Sequence, residues 1–442
     1  MIESLDRQQF AHWLTVEEGT VESYEDLRSA PTEYVLYLGS KYAWLSENDY
    51  DREAFEVIVL ILRIVEYIPD LADRAKQSYW ACRGMAVTCS FLGLWQDSIE
   101  GYERAIHIGE DGAYPLIEAS YRGPGGAGSG AQYQPADHRE LGSMHGRVGS
   151  YGEALDHHRI AEERLEAARS RLDVHTYRDE LARLRNARAL VRMDLGEYKE
   201  AERDSLAAAS IEEELGEENP LRFLQAAIDY MSAGKARRGL ALRKDEGFTA
   251  SFATFDDALR VLTLAPSGRR EHSDRESEVY LERGRTHLMD GDHEAAITDL
   301  ERALSLTSDF NLIQHAGAHH LYLGEAYLDA DDPERAEVSL EKAAIIAEDL
   351  GTPETLWQGQ RMLAAVFRAG NAPEKARTEL RKCIDIIEQL RSQTLPESSK
   401  ISMLEPKDRA YEDLVIDLCE SGSEDAETTE VARALEITEA FN

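Results

Sequence analysis

The chain has 442 residues, of which 43% are hydrophobic and 30% charged, and a formal net charge of −36. That length exceeds one ordinary core, so two or three domains or a single repeat array are expected. The acidity repels phosphate backbones and argues against a nucleic-acid partner except through another protein.

The N-terminus, MIESLDRQQF, is polar and acidic, unlike a signal peptide. No apolar run approaches the roughly 18 residues of a membrane span. The most apolar stretch, Phe55 to Tyr67, is interrupted by Glu56, Arg63 and Glu66. A cytoplasmic location is the expectation. Arginine supplies most of the positive charge, which fits a high-salt source and a GC-rich genome equally well. The four cysteines, Cys82, Cys89, Cys383 and Cys419, form no C-x-x-C pair and read as free thiols.

In chain order, residues 1–30 are expected to form a helical cap and 31–110 the first repeats. Tyr34 to Ile61 is a candidate pair with Asp49, Asp51 and Ala54 at its turn. A pattern then recurs: a turn residue, an aromatic or proline two later, a small residue, a large one, and a small one. It occurs at Gly93, Trp95, Ser98, Tyr102 and Ala105, then at Gly149, Tyr151, Ala154, His158 and Ala161. Further copies are Gly196, Tyr198, Ala201, Ser205, Ala208 and Gly291, His293, Ala296, Leu300, Ala303. The last two begin at Asp331-x-Pro333 and Asn371-x-Pro373. Each turn residue ends a helix in a left-handed conformation, and each small residue lets neighbouring helices close up. Upstream, the first helix of each pair carries a small residue at its middle: Gly142, Ala189, Gly284, Gly324 and Ala364.

Residues 111–136 interrupt the array with the run Gly123 to Gly130, and the repeats resume over 137–390. The wide interval between Gly196 and Gly291 predicts a divergent repeat near 215–270, with Phe255, Ala258, Leu262 and Ala265 on its second helix. Residues 391–442 are expected to form a helical hinge or cap.

No catalytic or cofactor site emerges. Gly123 and Gly128 have phosphate-loop separation, but Ser129 and Gly130 stand where the lysine and hydroxyl belong. His315, His319 and His320 have helical spacing without H-E-x-x-H or an evident third ligand, so no metal site is assigned. His157 and His158 read as packed histidines. No G-x-S-x-G occurs, and carboxylate pairs in so acidic a chain read as solvated faces. The expectation is a protein that is not an enzyme and holds no cofactor.

The segment Leu323-Gly324-x-x-Tyr327 with Ala336 and Ala343, and Leu141-Gly142 with Gly149-x-Tyr151-x-x-Ala154, resembles the tetratricopeptide repeat. The spacing departs from the usual one, since Gly291, Asp331 and Asn371 are 40 apart. The resemblance implies an all-α fold: a right-handed α-solenoid, a superhelix of antiparallel helix pairs whose inner groove binds a partner protein or peptide. Carrying over its groove positions gives Arg83, Arg139, Arg147, Arg183, Asn186, Arg285, Arg361 and Arg368. An arginine stripe there would attract an anionic segment.

Toward the C-terminus, Ile387-Glu-Gln-Leu390-Arg391, then Lys407 to Leu414, then Ala434 to Glu439 resemble the hinge between such repeats and a caspase-like CHAT protease domain. The acidic loop Ser421 to Glu430 departs from that pattern. The resemblance implies a sensor or scaffold arm that regulates an associated CHAT-type protease. The alternative is a regulatory peptide receptor with no link to a protease.

Overall fold

The computed structural model describes residues 15–16, 19–20, 31–47, 50–120, 130–244, 247–309 and 313–392. Several expectations lie outside the described residues: most of the cap over 1–30, Asp49, the glycine run 123–129, Cys419, and the hinge beyond residue 392. Within 1–30 the described residues form one short antiparallel pair, Thr15–Val16 with Gly19–Thr20. Every other regular element among the described residues is helical.

The chain divides into two compact units, Met1–Leu215 and Gly216–Asn442. The first contains α1 (Pro31–Glu47), α2 (Asp51–Ile64), α3 (Leu71–Phe91), α4 (Trp95–Ile108), α5 (Tyr114–Ser120), α6 (Tyr133–Arg147), α7 (Tyr151–Ala168), α8 (Val174–Asp194) and α9 (Tyr198–Gly216). The second contains α10 (Arg222–Lys244), α11 (Thr249–Leu262), α12 (Arg270–Asp290), α13 (His293–Asp309), α14 (Ile313–Asp329), α15 (Pro333–Leu350), α16 (Pro353–Ala369) and α17 (Pro373–Ser392). Each unit is a stack of antiparallel helix hairpins, with successive helices packed on one another. The all-α, tetratricopeptide-like solenoid class expected from the sequence is the one observed.

The turns explain why the hairpins form. Gly93, Gly149 and Gly196 in the first unit, and Gly291, Asp331 and Asn371 in the second, all have φ between 55° and 79°. After each, the next backbone N–H returns to the carbonyl five residues back, as from Leu94 to Cys89 at 2.8 Å and from Asp332 to Tyr327 at 2.9 Å. This closes the helix end and reverses the chain. Asp332 also accepts a hydrogen bond from the Arg335 N–H, and Pro333 starts the next helix where no N–H is needed.

Packing follows the same register. The Gly142, Gly284 and Gly324 positions face the large residue 16 positions on: an added Cβ would lie 2.6 Å from His158, 2.9 Å from Leu300 and 2.5 Å from Leu340. The α10–α11 hairpin occupies the region where a divergent repeat is expected. There a Cβ added at Gly234 would lie 2.6 Å from Phe255, 21 positions on. Ala265 is buried but lies beyond the end of α11, so the expected second helix is shorter than the sequence suggested.

The described residues of the 111–136 insertion are helical. A π-helical turn at Gly109–Ala113 leads into α5, whose Ile117 is fully buried, and a 3-10 turn at Gly130–Gln132 precedes α6. Cys82, Cys89 and Cys383 are buried free thiols, packing as small apolar side chains. Burial pushes the Cys82 thiol up to about 11.

One arginine bridge recurs at the same repeat position in both units. Arg188 grips Asp204 in a fork at 2.7 and 2.9 Å and reaches Glu162 at 2.6 Å. Arg283 grips Asp299 at 2.7 Å twice and reaches Asp256 at 2.6 Å. Each arginine thus ties its own hairpin to the second helix of the preceding one, with the bidentate geometry that guanidinium favours.

Candidate partner-binding face

The predicted groove residues all lie on the first helix of a hairpin, on α3, α6 and α8 in the first unit and on α12 and α16 in the second. Their surroundings differ in ways the sequence did not indicate.

In the first unit, Arg83 is locked to Asp137, its Nε 2.8 Å from the carboxylate, and lies over the Tyr133 ring at 5.5 Å. Asp137 is fully buried and also accepts from the hydroxyls of Tyr79 at 2.7 Å and Tyr114 at 3.0 Å. Burial raises the Asp137 carboxyl, while the guanidinium and the two hydroxyls pull it back. Arg139 is only 8% exposed, paired with Glu140 at 2.6 Å and Glu180 at 3.5 Å. It is part of the packing between α6 and α8 rather than an open contact. Arg147 and Arg183 are exposed; Arg147 lies over Trp95 at 5.7 Å and Arg183 bonds Asp179 at 3.2 Å. Asn186 is half-buried and engaged.

In the second unit the face alternates in charge. Glu282 on α12 receives Arg238 of α10 at 2.8 Å, Lys235 at 3.8 Å and Arg285 at 3.0 Å. Burial opposes the Glu282 charge, but these three cations outweigh it and hold its carboxyl below the ordinary range. Arg285 lies over the Tyr322 ring of α14 at 4.4 Å. Glu325 on α14 behaves oppositely: burial and then nearby Asp329 raise its carboxyl, with Arg361 and Arg285 pulling it back. Arg361 and Arg368 on α16 are half-buried and engaged. The arginines therefore belong to a charge-alternating ladder across α10, α12, α14 and α16. The carboxylates of that ladder carry no sequence signal in so acidic a chain.

The repeat at the centre of the second unit has a matching family. Residues 277–310, which include most of α12 and all of α13, match the family model of the tetratricopeptide repeat. These residues carry a tetratricopeptide repeat. No curated protein matches the chain. Among solved structures, one similar chain is a Signal Transduction ATPase with Numerous Domains protein with a tetratricopeptide repeat sensor from Pyrococcus horikoshii. The similarity has a TM-score of 0.51 at 16% identity and covers 88% of this chain and 53% of that one. RapI in its apo form is similar at 13% identity and TM-score 0.46, over 92% of this chain and 97% of that one. The Rap conjugation gene regulator of plasmid pLS20, in complex with the Phr* peptide, is similar at 14% identity and TM-score 0.46, over 92% and 96%. The first of these likenesses shows the fold, a tetratricopeptide-type array of helix hairpins. No described helix is long and apolar enough to cross a membrane.

Proposed function

We propose that this protein is a non-catalytic scaffold or sensor arm that docks a partner protein or peptide on the first-helix face of its hairpins. The observation that carries this reading is the ladder of the second unit, where Lys235, Arg238, Glu282, Arg285, Tyr322 and Glu325 occupy successive first helices. Half-buried Lys235, Arg285 and Glu325, held on rigid helices with the buried Arg238 and Glu282 and an aromatic ring, present polar contacts at low ordering cost. The ladder's cations favour a partner with an anionic segment.

A randomised peptide display selection on the full chain tests the reading. Enriched peptides should carry acidic residues and bind a chain bearing Arg285→Glu and Arg361→Glu at least tenfold more weakly, with unchanged circular dichroism. Enriched peptides that bind both chains equally would reject the ladder as the docking face. Arg139 is unsuitable for such a test, because reversing a buried charge perturbs the packing itself.

The control of a CHAT-type protease is a finer proposal, supported by the sequence resemblance of residues 387–439 alone. Co-expression with a protease domain of that type tests it. Cleavage that depends on this chain supports the link, and independence leaves the regulatory peptide receptor as the reading.

A further inference from the structure

The sequence offered His315 and His319 one helical turn apart, with no third ligand in view. The fold supplies two more candidate donors. Asp274 and Glu278, also one turn apart, lie on α12, and the ligand atoms of Asp274, Glu278 and His315 all fall within 4.8 Å of one another. His315 Nε2 is 3.0 Å from Asp274 Oδ1. Two ligands on one tetrahedral zinc ion, each at about 2.0–2.1 Å, stand roughly 3.3 Å apart, so this edge already has a coordination spacing.

A second, independent observation is His319. It is fully buried, its Nδ1 is 2.8 Å from the Thr307 hydroxyl, and its Nε2 has no hydrogen-bond partner. Its ring stands beside that of His315, with centroids 6.4 Å apart. The Thr307 contact fixes the ring and leaves Nε2 open beside the site, while the three converging donors are Asp274, Glu278 and His315.

We propose that Asp274, Glu278 and His315, with His319 beside them, bind a divalent transition-metal cation such as zinc and thereby fasten α12 to α14. A set of imidazole and carboxylate donors suits such an ion better than calcium, which takes six or more oxygens. The triad is half-buried, which leaves an entry path. Arg275 competes for it, pairing with Glu278 at 2.8 Å and approaching Asp274 at 3.7 Å. This arginine is 34% exposed, so it can turn to solvent when a dication takes its place, and a pair that exposed contributes little. Asp274 raises the His315 imidazolium, so metal uptake releases a proton and weakens as pH falls.

Competition between the full chain and a chromophoric zinc chelator tests the proposal, with zinc chloride as the probe. One equivalent should bind, and saturating zinc should raise the thermal midpoint. His315→Ala and the near-isosteric Asp274→Asn should each lose at least tenfold in affinity and the thermal shift, while His157→Gln, at a separate histidine cluster, keeps both. Circular dichroism of the metal-free variants separates loss of ligand from loss of fold. The proposal is overturned if no stoichiometric zinc binds, or if folded His315→Ala and Asp274→Asn bind it as tightly as the parent.

Discussion

Asp137 on α6 accepts a 2.7 Å hydrogen bond from the hydroxyl of Tyr79 on α3, inside the first unit. The same carboxylate takes Tyr114 and Arg83, so one buried acid joins three elements. Asp137→Leu leaves two hydroxyls and a guanidinium without their acceptor. It should cost about 3–5 kcal/mol, read from the urea midpoint. A loss below about 1 kcal/mol would mean that the hub contributes little.

Gly142, Gly284 and Gly324, at the repeat position of their first helices, act through packing. Gly324→Ala places a Cβ 2.5 Å from Leu340 and should destabilise by about 1–3 kcal/mol, despite alanine's better helix propensity. Gly39→Ala on α1 meets nothing within 4 Å and should stabilise by about 0.5–1 kcal/mol. Thermal midpoints of the two variants should therefore move in opposite directions.

His158 occupies the position that Leu300, Leu340 and Leu380 fill in other repeats, and it is fully buried without a well-formed bond at either ring nitrogen. Burial pushes its imidazole to about 4, against a weaker pull from the Arg139 carbonyl. His138 and His320, also by burial, stand at about 4 and His319 at about 3. Below pH 6.5 the unfolded chain takes up protons that these folded rings refuse. Stability should fall between about pH 6.5 and 4, by up to about 1.4 kcal/mol per pH unit for each group. His315 runs the other way: its pairing with Asp274 is present at low pH and lost as pH rises through its raised value. His158→Leu should raise stability at pH 7 by about 1 kcal/mol and flatten the acid slope, as denaturation at pH 7.5 and 5.0 would show.

Asp331 has φ of 59° at a turn where four other copies carry glycine. Asp331→Gly removes the left-handed penalty and should raise stability by about 1 kcal/mol or less, read as a slightly higher thermal midpoint. Asp331→Val should lower it.

These turns show why the hairpins were legible in the sequence. A left-handed residue restricts the choice to Gly, Asn or Asp, and the spacing to the small and large positions is local. Phe255 and Ala258 likewise revealed the divergent hairpin, although Ala265 falls past the helix because burial continues into the turn. What sequence could not reveal was long-range pairing. Asp137 and Glu282 resemble the chain's many other carboxylates until the fold sets Arg83 or Arg238 beside them. For the same reason Arg139 read as an open groove contact, whereas it is buried against Glu180. Asp274 and Glu278 are 41 and 37 positions before His315, too far for spacing to suggest a common site.

Hydrogen–deuterium exchange of the full chain, with and without a display-selected peptide, bears most directly on the docking face. The account predicts added protection on α10, α12, α14 and α16, with α11, α13 and α15 unchanged. Protection confined to the second helices of the hairpins, or none at saturating peptide, would contradict it.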